Sequence, residues 1–414
     1  MAVSLSEKKD RVHYGWLIVA AGCLCIFACL GLGRFALGML LPAMGSSLEL
    51  SYSQMGLIST CNFFGYLFAV LACGRFQSIL GARALISLAL LLVSLSMIMI
   101  GFARSLVIVA VLYTLTGIGS GAANVPMMGL ISTWFSSHLR GRAAGFIVIG
   151  SGFAILMSGL IIPVLNSLRP EGWRLSWFML GLIVLAISVL CWSVLRNRPE
   201  DMGVGMVGAE KGLDRKDAGI RFGSLDRNVV LYCGAIYFVF GFTYVIYATF
   251  IVTVLVQDYG FSEQVAGTFW AWVGLLSLFS GPVFGTLSDK LGRKTGLIVV
   301  FLIQTVAYLL VGLKLPGIAL VLSIGCFGIV AWSIPSIMLA LVGDLIGPYH
   351  TVRAFGMITF IFGIGQILGP YLAGLLAEET GDFSVAFLLA AAMTVLAMLL
   401  SWRLRIKEGC TPSC

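Results

Sequence analysis

Gly285-Thr-Leu-Ser-Asp-Lys-Leu-Gly-Arg-Lys294 is a short polar interruption between two long apolar runs. A weakened copy stands 211 residues earlier, as Gly74-Arg-Phe-Gln-Ser-Ile-Leu-Gly-Ala-Arg83, with Ser78 in place of the acid Asp289. The same offset relates Arg142-Ala-Ala-Gly145 to Arg353-Ala-Phe-Gly356, and Pro126 and Pro335 lie 209 residues apart. One shared offset at separate places marks an internal duplication. Each unit is far longer than the 20–50 residues of a solenoid repeat.

Around these copies the chain is almost uniformly apolar. Of its 414 residues 11% are charged and 59% belong to the set AVILMFWYC, with 50 Gly besides. An ordinary soluble domain carries about 25% charged residues. Such a composition excludes a cytosolic enzyme, a disordered chain and a secreted disulfide scaffold, and lipid is the solvent that fits. Eight of the ten Cys fall inside apolar runs, where Cys acts as a small hydrophobe. The N-terminus does not read as a cleavable signal peptide, because its first apolar run reaches spanning length without a clear cleavage site.

Charges and turn residues divide the chain into twelve apolar spans, near 15–43, 53–74, 84–102, 106–133, 144–167, 174–195, 228–256, 264–287, 295–313, 317–343, 354–377 and 384–402. Each is long enough to cross a hydrocarbon core of roughly 30 Å as a helix, the state that pairs its own backbone in lipid. The net charge of +8 is therefore read as membrane topology rather than as a nucleic-acid surface. With both termini cytoplasmic, 21 of the 26 Lys and Arg lie on the inner side and four on the outer, as the positive-inside rule requires. The expected organisation is an N-terminal six-helix half, 1–195, a cytoplasmic linker, 196–227, and a C-terminal six-helix half, 228–414.

The Gly285–Lys294 stretch resembles the signature loop of the major facilitator superfamily, G-x-L-x-D-R-x-G-R-K, with Lys290 as the one conservative change. Tyr14-Gly-Trp-Leu-Ile-Val-Ala-Ala-Gly22 and Arg198-Pro-Glu-Asp-Met-Gly203 resemble segments of bacterial monocarboxylate and organic-anion carriers. Gly31-Leu-Gly-Arg-Phe-Ala-Leu-Gly-Met-Leu-Leu-Pro42 resembles YbfB/YjiJ-type carriers. The superfamily usually keeps the better signature copy in its first half, and here the second-half copy is the intact one. Monocarboxylate carriers usually place a basic residue in span 8, and span 8 here has none. The resemblance implies an all-α polytopic protein of two pseudo-symmetric halves, with a substrate path between them near the midplane. It also implies a gate at the signature turn. Asp289, beside Gly285, Gly292 and Arg293, would face the start of span 5, where Arg142 adds a charge.

Arg34 is the one Asp, Glu, His, Lys or Arg placed well inside a span. A lone charge there costs a few kcal/mol on insertion scales. A guanidinium suits a bidentate carboxylate or sulfonate; the other reading is a structural Arg bonded to helix carbonyls or reaching the outer interface. Asn62, Asn124, Tyr237, Tyr244, Trp332, Ser336 and Gln366 are the further candidates for the path, with interhelical hydrogen bonding as the alternative use of each polar group. All 18 carboxylates lie in loops or at helix ends, so no buried acid is available as a dedicated proton carrier.

Nothing in the chain resembles a nucleotide loop, a catalytic triad or a metal cluster. It is read as no enzyme, with no cofactor and no metal. The expected function is alternating-access transport of a small organic anion, such as a carboxylate, across the inner membrane. The expected partners are that substrate and the bilayer, without nucleic acid, and the chain is expected to be monomeric. A drug/proton antiporter is the second reading, suggested by the glycines of span 11. A non-transporting membrane receptor is the third.

Overall fold

The computed structural model describes residues 13–208, 227–346 and 348–404. Twelve membrane-crossing helices account for most of these. α1 is Tyr14–Leu48. The next helical run, Tyr52–Ile100, is broken at Gly81, with φ 75° and ψ 162°, and so makes two crossings, α2 (52–80) and α3 (82–100). α4 is Leu106–Trp134, α5 Ser137–Ser167 and α6 Gly172–Val194. α7 is Arg227–Asp258, α8 Glu263–Leu291, α9 Arg293–Gly312 and α10 Ile318–Ile346. α11 is Pro348–Thr380 and α12 Ser384–Arg403. An even number of crossings brings Tyr14 and Arg403 to the same face, here called the terminal face.

Every span expected from hydropathy is a helix, but the helices overrun the apolar stretches at the terminal face. α5 begins at Ser137 rather than 144, and α2 runs to residue 80 rather than 74. Arg and Lys are good helix formers, so a charge ends an apolar run without ending a helix. The ten-residue signature stretch is accordingly not a loop. Helix continues through Leu291 and resumes at Arg293, and Gly292 alone makes the turn, at φ 88° and ψ 146°. Gly81, its repeat partner, does the same. Both angles lie where a Cβ is not tolerated.

Three spans depart from regular α-helix. Phe27–Phe35 in α1 and Val254–Asp258 in α7 are π-helical. α10 is interrupted at Ala331 and Trp332, between helical pieces Ile318–Val330 and Ser333–Ile346. Of the expected linker, 196–208 is docked rather than free. Val207 donates to the Trp134 carbonyl at 2.9 Å and accepts from the Ser136 amide at 3.0 Å. The Trp134 indole donates to the Arg196 carbonyl at 3.1 Å. Residues 209–226 of that linker lie outside the described residues.

At the face opposite the termini, helices meet through glycines. A Cβ at Gly56 of α2 would strike the Pro370 carbonyl of α11, and one at Gly38 of α1 would strike the Ala248 carbonyl of α7. Gly159 and Gly274 do the same along α5 and α8, meeting Ala271 and Leu156. Small residues are how helices associate closely in lipid, where burying apolar surface gives no advantage. Hydrogen bonds lace the same seams. Ser59 and Thr249 hydroxyls are 3.2 Å apart, Thr60 donates to the Ile367 carbonyl at 2.9 Å, and Asn166 donates to Glu263 at 2.8 Å. At the terminal face Gly74, Gly141, Gly145, Gly285 and Gly356 meet no neighbouring helix among the described residues, whereas Gly15, Gly234 and Gly296 stay packed there. The contacts above between residues of 1–195 and of 228–404 lie toward the face opposite the termini, here called the sealed face.

Gly159→Val would put branched atoms against the Gly267 carbonyl and Ala271. It should cost about 1–3 kcal/mol by overpacking and lengthen spin-label distances across the sealed face. An unchanged melting point and unchanged distances would show that seam to be slack.

Candidate functional site

Arg34 ends the π-helical stretch of α1 and lies inside the bundle, 8% exposed. Its guanidinium carbon sits 4.6 Å from the ring centre of Phe63 and 4.1 Å from that of Tyr66, both on α2. Among the described residues its Nε and Nη2 are buried with no hydrogen-bond partner, and no carboxylate pairs with it. Aromatic faces return part of the hydration energy, about 2 kcal/mol or more each when desolvated. They supply no acceptor for the N–H donors.

Polar groups with spare valences gather around it. Asn124 of α4 donates to the Tyr66 hydroxyl at 2.8 Å, and its own carbonyl oxygen is buried without a partner. Asn62 donates to the Tyr113 carbonyl at 3.1 Å, and its oxygen is likewise free. Neither oxygen has a partner among the described residues. From the other side α7 brings Tyr244, whose hydroxyl faces Arg34 and accepts from the Gln366 amide of α11. The break in α10 places Trp332 here. Its amide donates to Ser280 at 3.1 Å and its ring packs 5.0 Å from Phe35 and 5.9 Å from Tyr244. The Trp332 indole N–H is buried and unpartnered among the described residues. Toward the sealed face a pinched cavity lined by Arg34, Asn62, Ser59 and Thr249 has room for about one water molecule.

Six of the eight candidates for the path therefore converge: Arg34, Asn62, Asn124, Tyr244, Trp332 and Gln366. Two do not. Tyr237 lies in an aromatic stack one step toward the terminal face, 4.3 Å from Phe362 and 6.0 Å from Phe355. Ser336, one turn beyond Trp332, is exposed and lies beside Gly281 on α8. Tyr237 and Tyr244, seven residues apart, share one face of α7, and a helix crossing the membrane places such residues about two turns apart in depth. The sequence reading missed Phe63 and Phe362 as walls of the site, since an aromatic in a lipid span carries no mark distinguishing cage from packing.

The gate residues stand apart from this cluster. Asp289 bonds to Arg293, four residues on, and Arg293 reaches Ser288 at 2.9 Å and Asp344 of α10 at 3.0 Å. Asp289 does not meet the start of α5. Arg142 instead lies 5.9 Å from the rings of Trp16 and Phe146, and Gly285 faces open space. The expected latch is unmade in this structure, and Gly292 forms the turn between α8 and α9.

The chemistry available is a set of N–H donors able to hold an anion, beside two amide oxygens able to accept from hydroxyls. An Arg whose role was structural would be destabilising to lose, by about 3–5 kcal/mol. An Arg left without its ligand should behave in the opposite way. Arg34→Met should raise the melting point of the ligand-free protein by roughly 2–8 °C. A fall of that size would mark Arg34 as a packing element.

The comparisons with known proteins agree with this architecture. The family model described as "Uncharacterised MFS-type transporter YbfB" matches residues 26–402. The hexuronate transporter of Bacillus subtilis (strain 168) is 25% identical over 384 residues, covering 89% of each chain. The probable sulfoacetate transporter SauU of Cupriavidus necator is 24% identical over 418 residues, 95% of this chain and 94% of its own. A crystal structure of a bacterial homologue of the human lysosomal transporter Spinster, inward-facing and occupied, superposes with a TM-score of 0.75. It shares 17% identity and covers 98% of this chain and all of the other. With twelve helices in that arrangement and a family match over most of its length, this multi-pass membrane protein belongs to the major facilitator superfamily of secondary transporters, in the YbfB-type family.

Proposed function

We propose that this transporter moves a small organic anion, bearing a carboxylate or sulfonate, by alternating access. The observation that carries the reading is Arg34, a buried cation with two unpartnered nitrogens among the described residues. An unpaired buried charge is costly, and an anion that shares both donors removes the cost while it is bound. Support comes from the named substrates of two relatives, a hexuronate and sulfoacetate, each of which carries an acid group. The free oxygens of Asn62 and Asn124 suit hydroxyls on the same molecule. Gln366 and Tyr244 would position its acid group, and Trp332 would donate to it.

The organisation belongs to the same proposal. Residues 1–195 and 228–414 would be the two moving halves, joined by 196–227, in the inner membrane with both termini cytoplasmic. The terminal face would then be cytoplasmic and the structure inward-open. In the outward-open state Asp289 would leave Arg293 and accept from free amides at the start of α5, aided by Arg142. Such a carboxylate at a helix N-terminus contributes about 0.3–1 kcal/mol, and up to about 2 when partly buried.

Two experiments test this. Proteoliposomes should accumulate at least one of radiolabelled glucuronate, sulfoacetate and lactate, and Arg34→Ala should abolish that uptake. Full uptake by the variant would remove Arg34 from the role; efflux of cationic dyes without anion uptake would favour drug antiport instead. For the gate, Asp289→Asn should favour the inward-open state by at most about tenfold, or 1.4 kcal/mol, and Ser78→Asp should oppose it. Spin-label distances across the terminal face that ignore both changes would reduce the stretch to a turn.

A further inference from the structure

The segment that presents Arg34 is nine residues of π-helix, and α4 supplies hydrogen bonds to its carbonyls. Ser120 Oγ lies 2.7 Å from the Cys29 carbonyl and 2.8 Å from its own-turn Thr116 carbonyl. The Tyr113 hydroxyl donates to the carbonyl of Arg34 itself at 2.9 Å. Both side chains are buried, Ser120 completely and Tyr113 to within 1%. Both bonds are to the backbone of the π-helical stretch, from Tyr113 at Arg34 and from Ser120 at Cys29.

A π-turn closes its hydrogen bonds five residues apart instead of four, as the Ala36 amide does on the Gly31 carbonyl. The extra residue per turn weakens the local ladder, which is why such stretches are rare and short. It also turns everything beyond it by about 100° relative to a continuous α-helix, one residue's worth of rotation. Glycines allow the neighbours in. A Cβ at Gly33 would stand 3.2 Å from Ser120 Oγ, and one at Gly31 would collide with Ala154 of α5. A wide turn in α1 is thus matched by two hydroxyls of α4 at the carbonyls of residues 29 and 34.

We propose that Tyr113 and Ser120 are positioning residues that hold α1 in its π-helical register and thereby aim Arg34 at Phe63, Tyr66 and Tyr244. This rests on the anion reading of Arg34 only for its consequence in transport; the register claim stands on backbone contacts alone. Tyr113→Phe keeps the ring that packs against Trp177, 5.8 Å away, and deletes only the hydroxyl. Ser120→Ala deletes the other donor, and Ser120→Thr restores a hydroxyl at the same place.

The first test needs no substrate. In ligand-free protein in nanodiscs, amide hydrogen exchange in a peptide covering 27–36 should rise about fivefold in Tyr113→Phe or Ser120→Ala alone and about 25-fold in the double variant, the scale of one and of two buried hydrogen bonds. Exchange in α8 should not change. Unchanged exchange in 27–36 overturns the proposal, and a uniform rise across all helices would show a general loss of packing and overturn it equally. The second test uses whichever of glucuronate, sulfoacetate and lactate the vesicles take up. Each single deletion should raise KM about fivefold with kcat unchanged, and Ser120→Thr should recover KM to within about twofold. In an Arg34→Lys background the deletions should add little further, because they act through the displaced group. Losses that add fully there would overturn the lock. Arg34→Gln with normal uptake would instead sink the anion reading, while the exchange result would still decide the register.

Discussion

Arg34 is a buried positive charge that no acid neutralises among the described residues, and the layer of side chains around it is constrained by that. A guanidinium taken from water into protein loses several kcal/mol of hydration energy even after relaxation. Two aromatic faces and a tyrosine hydroxyl recover part of this. A carboxylate from a neighbouring helix would recover the rest, and among the described residues none is paired with Arg34. Its unpartnered donors are what the anion reading of Arg34 rests on. Around it Asn62, Asn124 and Trp332 each keep one buried hydrogen-bonding atom without a partner among the described residues.

Small residues close the packing on one side of Arg34. Gly38 lies one turn beyond Arg34 and lets α1 touch the backbone of α7. Gly56 on α2 lets the same layer close against α11. These contacts close the bundle just beyond the guanidinium, leaving a space of about one water between seal and site. On the other side the glycines at the helix ends face open space. Close glycine seams need no change in the helices themselves to separate, since they hold by surface contact and a few hydrogen bonds.

The fold was legible because lipid leaves so few options. Apolar length, the side on which Lys and Arg gather and the 211-residue repeat lead to twelve helices by independent routes, and the helices are there. What was not legible had no compositional trace. The reading of Gly285–Lys294 as a loop failed because a charged run in water and a helical turn share one composition; only Gly81 and Gly292 need their special φ. The π-helical stretch was hidden because Phe27–Phe35 is as apolar as its α-helical neighbours. Arg34 stood out because charge is rare in lipid. Tyr237 shares a helix face with Tyr244, but spacing along a helix specifies a face and not a depth. Asn62 and Asn124 were found by the cost of an amide in lipid, which serves equally for a glue contact, so their unpaired oxygens could be seen only in three dimensions.

The two repeated hairpins show how one sequence motif diverges once its contacts change. At Gly292 the turn is held by charge, with Arg293 joining Asp289 to Asp344. At Gly81 the acid is gone and Ser78 merely donates to the Arg75 carbonyl of its own helix. That hairpin is held from outside. The Asn197 carbonyl oxygen accepts from the Arg83 amide at 2.9 Å, and the Arg83 side chain donates to the Trp192 carbonyl while lying 4.9 Å from its ring. Asn197 also fills the space where a Cβ at Gly81 would stand. The contact comes from the residues just after α6, the same segment that pins Val207 between α4 and α5. The Gly81 hairpin is tied to its own half through the Arg83 guanidinium and the Asn197 amide, with no ion pair among the described residues. One tied by exposed ions can exchange partners at little cost, since exposed ion pairs contribute only about 0–1 kcal/mol. The missing acid at position 78 and the docked start of the linker are then two sides of one arrangement, in which the Gly81 hairpin is tied to the segment after α6 and the Gly292 hairpin to α10.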